Sequence, residues 1–473
     1  MHCTAYFVFA VTWIVISSFS YGYHISALNS AQDAITCRWH GSSTPFVKTH
    51  MLPLTSCLVM SDNLFGLLTS SYTIGGFGGS LYASHLANSQ GRKRSILIGS
   101  LLIAFGSALM ALATSFIPML LGRTIIGLGC GLNTVLVPIY LSEISPVAIR
   151  GSIGVMNQLG IVIGILASQV VSMPLAKPFI WRWIFVISGC INAFQLVIAP
   201  LMIESPKWAM EQEAKRAGIL PTQSTLRNES EDLTEAQGPN DDVERQGLLS
   251  HHDSPGANEV HAQTSTSQDE LSISELFREW HHDPVLASGL KVVLITQLAQ
   301  QLSGVNAVLY YSTSIMKSVL PTQAAYISLF ITFINVLMTF PPIFLIDRTG
   351  RKPLLIISAG MMALTSCILG FSINIGFAQL SSLAIVCFVA SFSLGLGPIP
   401  FVILSELVPT HAISATGGLA LGVNWAANFA VGLLFLPLRN AMASPDGDGD
   451  GNVFFVFTII STIATLLIAR NYR

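Results

Sequence analysis

Apolar runs of about 20 residues, separated by short polar stretches, recur along nearly the whole chain, and they show no alternation of apolar and polar positions. Backbone N–H and C=O groups in hydrocarbon must be satisfied within their own segment. Runs of this length and pattern therefore predict membrane-spanning helices and exclude a barrel. Twelve spans can be marked, at about 5–28, 63–84, 95–115, 117–141, 153–174, 183–203, 287–315, 324–346, 354–374, 381–405, 413–437 and 453–470. The first run lacks a basic flank and a small-residue cleavage site, so it reads as a span and not as a signal peptide.

One long polar stretch interrupts the rhythm. From Glu204 to about Pro284 the chain is rich in Ser, Asp, Glu, Gln and His and has too little apolar surface to fold alone. It predicts a largely disordered linker, 204–284, between a six-helix amino-terminal unit, 1–203, and a six-helix carboxy-terminal unit, 285–473.

Composition agrees: 51% of the 473 residues are hydrophobic, 10% are charged, and the mean hydropathy is +0.62. These values place the chain among all-α membrane proteins. The near-neutral balance, without a basic stripe interleaved with aromatics, gives no sign of nucleic-acid binding. Basic residues sort the loops. Arg92, Lys93 and Arg94, then Arg150, then Arg348, Arg351 and Lys352 all fall on one side of the spans, together with both termini, and positive charge marks that side as cytosolic.

The two units repeat one another. G-R-K-R at Gly91–Arg94 is answered by D-R-T-G-R-K-P at Asp347–Pro353, and L-S-E-I-S-P at Leu141–Pro146 by L-S-E-L-V-P at Leu404–Pro409. The basic loop follows the second span of each unit and the L-S-E motif closes the fourth. Parallel repeats of six spans around a shared midplane site are a transporter architecture.

Further stretches are G-R-T-I-I-G from Gly122, P-I-Y-L-S-E-I-S-P-V-A-I-R-G from Pro138, N-Q-L-G-I-V-I-G-I-L from Asn157, E-S-P-K-W from Glu204, Q-Q-L-S-G-V-N-A-V-L-Y-Y-S from Gln300, G-L-G-P-I-P from Gly395 and N-W-A-A-N-F from Asn424. In this order they resemble the sugar porters of the major facilitator superfamily, of the glucose-facilitator type. The resemblance covers all twelve spans and implies two pseudo-symmetric six-helix bundles that move a monosaccharide by alternating access.

It also implies roles. Gln158, Gln300, Gln301, Asn306, Asn335 and Asn424 match the family's sugar-contacting positions, and Trp425 its apolar floor. Carboxamides suit a sugar because each can donate and accept, as hydroxyls do, whereas in lipid they are costly without a partner. The plainer alternative for any one of them is a hydrogen bond that holds two spans together. Tyr310 and Tyr311 resemble an outer gate beside the bend expected at Gly304. Pro398 and Pro400, with Gly395 and Gly397, form a hinge in the tenth span. Arg92, Glu143 and Arg150, with Arg348, Arg351 and Glu406, match cytosolic latches that pair when the cavity faces outward.

Several positions depart from the family pattern. His24 stands where facilitators have Asn and proton-coupled relatives have Asp, opposite Arg123. Loss of that Asp favours facilitated diffusion, while a titrating His24 leaves proton coupling as an alternative. Phe401 replaces a Trp, Ser393 an acid, and Asn88 and Ser89 an Asp-Arg pair, which leaves a polyol or inositol as an alternative cargo and suggests a weaker amino-terminal latch. A non-transporting sugar sensor is the reading from another class; its usual long tail would have to follow Arg473, where this chain stops.

Peripheral signals are weaker. D-D-V-E-R-Q-G-L-L places Glu244 four residues before Leu248 and Leu249, the acidic dileucine form taken by clathrin adaptors, so plasma and endosomal or vacuolar membranes are all open. Cys37 and Cys57 share one polar loop opposite the basic side, leaving a disulfide open. D-G-D-G-D-G-N at Asp446–Asn452 starts like a calcium loop but has Phe457 where the bidentate Glu is needed. No metal spacing, phosphate loop or nucleophile–base pair calls for a metal, a cofactor or enzyme chemistry.

Overall fold

The computed structural model describes residues 5–29, 31–37, 55–146, 149–216, 271–310, 324–442 and 449–472. Tyr311, the Glu244, Leu248 and Leu249 motif, and Asp446 and Asp448 of the acidic turn lie outside the described residues, as does most of the stretch expected to be a disordered linker.

Every regular element among the described residues is helical. The amino-terminal half comprises α1 (Ala5–Ser26), the short α2 (Gln32–Ile35), α3 (Asp62–Gln90), α4 (Arg92–Leu112), α5 (Phe116–Ile144), α6 (Arg150–Leu175) and α7 (Arg182–Ile198). Helix α8 (Pro206–Arg216) leaves this half, and α9 (Ile273–Glu279) leads into the next. The carboxy-terminal half comprises α10 (Pro284–Leu302), α11 (Ala324–Thr349), α12 (Arg351–Asn374), α13 (Ala378–Leu394), α14 (Ile399–Leu407), α15 (Ile413–Met442) and α16 (Asn452–Asn471).

Among the described residues, eleven spans are long and apolar enough to cross a bilayer. The twelfth, α3, has 29 residues but is diluted by Gly, Ser and Thr. Its position explains this. It packs along α5 on one side and α15 on the other, where close approach calls for small residues, and leaves Ile74, Phe77 and Tyr82 exposed. A Cβ added at Gly75 or Gly79 would come within 2.1 or 2.2 Å of a backbone oxygen of α5. Small residues here let two helix backbones touch, which is how spans gain packing energy when lipid is as apolar as leucine.

Within the amino-terminal half α5 packs on α3 and α4, and α1 on α6; within the other half α12 packs on α13 and α16, and α10 on α15 and α16. The halves meet along two seams, α3 with α15 and α6 with α11. The twelve-span, two-bundle fold expected from the sequence is the fold observed.

Two spans are interrupted. The seventh continues past α10 as helical residues 305–310 after a break at Gly304, whose φ of +91° only glycine adopts without strain. The tenth is divided into α13 and α14 by the turn at 395–398, with Pro398 capping α14 and Pro400 in its first turn. At the end opposite the basic loops, Cys37 and Cys57 are joined in a disulfide, which answers the question left open by the sequence. Trp181 Nε1 donates to Ser56 O at 2.9 Å and Arg182 to Thr55 O at 2.8 Å, fastening the bonded loop onto the start of α7.

Candidate functional site

Five of the polar side chains form one network inside the carboxy-terminal half. Gln297, Gln300 and Gln301 lie on the last turns of α10, Asn306 just past the Gly304 break, and Asn424 in mid-α15; all are buried. Asn424 Nδ2 donates to Gln297 Oε1 and Gln300 Oε1, each at 2.8 Å, and its Oδ1 accepts from Gln301 Nε2 at 2.9 Å. Asn306 Nδ2 in turn donates to Gln301 Oε1. The sequence suggests amides waiting for a ligand, but here they are bonded to each other. Any hydroxyl-bearing guest must exchange these bonds for its own.

Gln300 has a further task. Its Nε2 donates to Leu396 O at 2.8 Å and Gly397 O at 2.9 Å, and Gln297 Nε2 to Pro400 O at 3.2 Å. These carbonyls lie at the α13–α14 break, where a helix interrupted by Pro and Gly leaves acceptors that lipid could not satisfy. For Gln300 the structural reading of the sequence therefore holds beside the ligand reading.

Other amides keep donors that have no partner among the described residues. Asn335 Oδ1 accepts from Ser393 Oγ at 2.6 Å, while its Nδ2 is buried without a partner. Gln169 on α6 accepts weakly from Thr332 at 3.4 Å across the seam, and its Nε2 is likewise unpartnered. Asn428 Oδ1 accepts from Tyr310 Oη at 3.1 Å, leaving Nδ2 free. Gln158, also on α6, is buried facing Gly397 of the other half, 3.2 Å from where a Cβ there would sit. Gln169, Gln297 and Asn428 were missed in the sequence. Their signal is register: Asn428 is four residues beyond Asn424, Gln297 four before Gln301, and Gln169 eleven beyond Gln158, each on the same helix face.

Cross-half contacts occur at three levels of the seam. In the middle, the Trp425 ring lies edge-on to Tyr21 and Tyr72, each 5.4 Å away, and its Nε1 donates to Thr134 Oγ1 at 3.4 Å. At the disulfide end, Asn29 Nδ2 donates to Leu309 O at 3.3 Å, and a crevice of about 10 Å³ lies between α3, Tyr310 and α15. That is no more than one water's room. At the basic-loop end, Ser152 Oγ donates to Asp347 Oδ2 at 2.9 Å.

Each half also carries an ion pair of matching design. Gly91, at φ +86°, starts α4, and Arg92 reaches Glu143 with Nε at 3.1 Å and NH2 at 3.0 Å. Gly350, at φ +83°, starts α12, and Arg351 reaches Glu406 with Nε at 2.9 Å and NH2 at 2.7 Å. In both, the remaining nitrogen returns to a carbonyl five residues upstream, Ala87 or Ile346. Asp347 adds a second carboxylate to Arg351 at 3.3 Å, where the amino-terminal half has Asn88. In the amino-terminal half, where the sequence suggests a weaker latch, the pair is equally bidentate and more buried, with Arg92 1% and Glu143 9% exposed. Both pairs lie within one half. Arg150 and Arg348, expected in the same latches, make no ion pair among the described residues, and Arg150 Nε is buried without a partner.

The model for the family described as sugar (and other) transporter matches residues 10–471. The chain belongs to that family. This sugar transporter is 34% identical to the human facilitated glucose transporter member 14, over 90% of this chain and 79% of the relative. It is 29% identical to a probable metabolite transport protein of Saccharomyces cerevisiae, over 99% and 92% respectively. A structure of the proton:xylose symporter XylE bound to 6-bromo-6-deoxy-D-glucose superposes with a TM-score of 0.74 at 20% identity, covering 98% of this chain and 96% of that one. The protein is a multi-pass membrane transporter with a small-molecule sugar as its class of substrate, and not an enzyme; its fold is that of the major facilitator structure it superposes on.

Within this transporter His24 and Arg123 are both fully buried but have different partners. His24 Nε2 lies 2.7 Å from Ser188 Oγ and 3.4 Å from Ser107 Oγ, while its Nδ1 has none. The Arg123 guanidinium is 4.4 Å from the centre of the Tyr72 ring and makes no hydrogen bond among the described residues. Its charge is met by the ring's negative face.

Proposed function

We propose that this transporter carries a monosaccharide, a hexose in the first place, by facilitated diffusion through alternating access between its two halves. One observation carries the reading: buried amide donors without partners, Gln169 Nε2 and Asn335 Nδ2, sit on α6 and α11, the two helices that form one seam. A sugar offers acceptors to both halves at once, so binding favours arrangements in which both reach it. Gln158, Gln300, Gln301, Asn306, Asn335 and Asn424 are the proposed sugar contacts and Trp425 the apolar face. Tyr310 and Tyr311 form the outer gate, and the Pro398–Pro400 turn is the hinge. The latches are Arg92–Glu143 and Arg351–Glu406, with Arg150 and Arg348 recruited in another state.

Facilitated diffusion is favoured over proton coupling because the carboxylate that coupling would use is absent beside Arg123, where His24 is held by two serines. The basic-loop side is assigned to the cytosol. Relatives include a vacuolar protein sorting-associated protein of Saccharomyces cerevisiae, 27% identical over 96% of this chain, which keeps an endosomal or vacuolar membrane beside the plasma membrane, with Glu244, Leu248 and Leu249 as the proposed adaptor contact. The test is uptake of labelled hexoses, pentoses and polyols by proteoliposomes, with and without a proton gradient. Saturable hexose uptake indifferent to the gradient is expected; gradient-driven accumulation would transfer the protein to the proton-coupled class, and binding without passage would make it a sensor.

A further inference from the structure

Two adjoining cavities, of about 340 and 580 Å³, open where α10 begins and α16 ends, on the same end of the molecule as the basic loops. Their walls combine three kinds of group. Lys291 and Arg470 are exposed, both line the larger cavity, and neither makes an ion pair among the described residues. Trp280 and Tyr472 supply rings with polar tips. Val285, 65% exposed, and Val292 supply apolar wall that continues down α10 into the span. Among the described residues no acid lines either cavity; of the acids that adjoin lining residues in sequence, Asp283 caps α10 through Val285 N at 2.8 Å and Glu406 is paired with Arg351.

Two unpaired cations above an apolar wall, at the level where spans leave the bilayer, match a phosphate ester that carries acyl chains. Basic pockets between spans on the cytosolic side attract acidic headgroups, and aromatic rings with polar tips prefer that depth. We propose that this groove binds the headgroup of an anionic glycerophospholipid, with the phosphate between Lys291 and Arg470 and one chain lying along Val285 and Val292. The smaller cavity is also walled by Leu407, the residue after the latch acid Glu406, so the bound lipid lies against the helix that carries the carboxy-terminal latch.

The test is titration of a fluorescent short-chain phosphatidylserine into the full chain purified in neutral detergent. Each of Lys291→Gln and Arg470→Gln should weaken binding about fivefold and the pair about thirtyfold, from the usual worth of a cation beside acidic lipid. The charge-keeping pair Lys291→Arg with Arg470→Lys should bind as the wild type does. Phosphatidylcholine of the same chain length should bind no more tightly to wild type than to the double variant. Unchanged phosphatidylserine affinity in the double variant would overturn the site. Equal competition by glycerophosphoserine, which has the headgroup without chains, would overturn the lipid assignment in favour of a soluble phosphate ester. If the double variant does not run as a single species, the single variants carry the same comparison, since both positions are exposed.

Discussion

The ring of Trp425, carried by the carboxy-terminal half, lies against the backbone of Gly76 in the amino-terminal half, so closely that a Cβ there would fall 2.4 Å from the indole. Gly76→Ala should therefore push the halves apart at mid-membrane. Overpacking of this kind costs about 1–3 kcal/mol, or about 5-fold to 160-fold in the balance between closed and open arrangements. Uptake by Gly76→Ala should fall, and cysteines introduced along the α3–α15 seam should label faster. Trp425→Ala in the same chain should restore slow labelling; strictly additive effects of the two changes would show that the ring and the glycine are not coupled.

The two matching ion pairs should differ in what they hold. Arg92→Ala leaves Glu143, 9% exposed, without its cation, and breaking a buried pair costs about 3–5 kcal/mol. Arg351 and Glu406 are each 24% exposed, a setting in which solvent screening leaves an ion pair about 1 kcal/mol or less. Thermal unfolding in detergent should place Arg92→Ala well below wild type and Arg351→Ala close to it. A reversal of that order would mean that burial does not govern these pairs.

Gln300 and Gln301 are neighbours with different duties. Gln301→Ala should abolish saturable uptake while the protein remains in the membrane, because this side chain bonds only other members of the amide network. Gln300→Ala strips two carbonyls of the α13–α14 break of their donor, at about 1–3 kcal/mol for each buried group left unsatisfied. Its first effect should appear as a lower unfolding temperature. Uptake kinetics unchanged in Gln301→Ala would remove it from the sugar site.

His24→Asn should leave uptake and its indifference to a pH gradient intact, since asparagine can still bond Ser188. A change in gradient dependence on this substitution would bring His24 into the transport cycle as a proton carrier.

Opening the Cys37–Cys57 bond should lower stability by about 2–4 kcal/mol, by the general effect of closing a loop of this size. Unfolding of wild type with and without reductant, set against Cys57→Ser, measures it. A reductant effect that persists in Cys57→Ser would assign the change to another cysteine.

Much of the fold could be read from the sequence because one constraint dominates: a backbone in hydrocarbon must be helical over about 20 residues. Even α3, too polar for a simple apolarity criterion, is among the twelve spans marked along the chain. The ends of the spans were less legible. α3 and α5 run to Gln90 and Ile144, beyond the expected 84 and 141, since protein packing and capping by Gly91 and Ser145, not hydropathy, end them. For the site, residue type revealed the amides, but which bond each other and which keep a free donor depends on contacts across helices far apart in sequence. Gln169 illustrates this: only the arrival of α11 beside α6 gives its amide a meaning.

The connection between the halves has a mechanical consequence. Trp208 on α8 is tied to the amino-terminal half through Asn88 O, and Leu271, just before α9, to the carboxy-terminal half through His411 O. Residues 217–270 lie between these moorings, a contour of about 180 Å when drawn out. Chain length alone therefore sets no limit on a displacement shorter than that contour. As far as length goes, the stops on the halves' travel are the contacts at the seams, Trp425 against Gly76 among them.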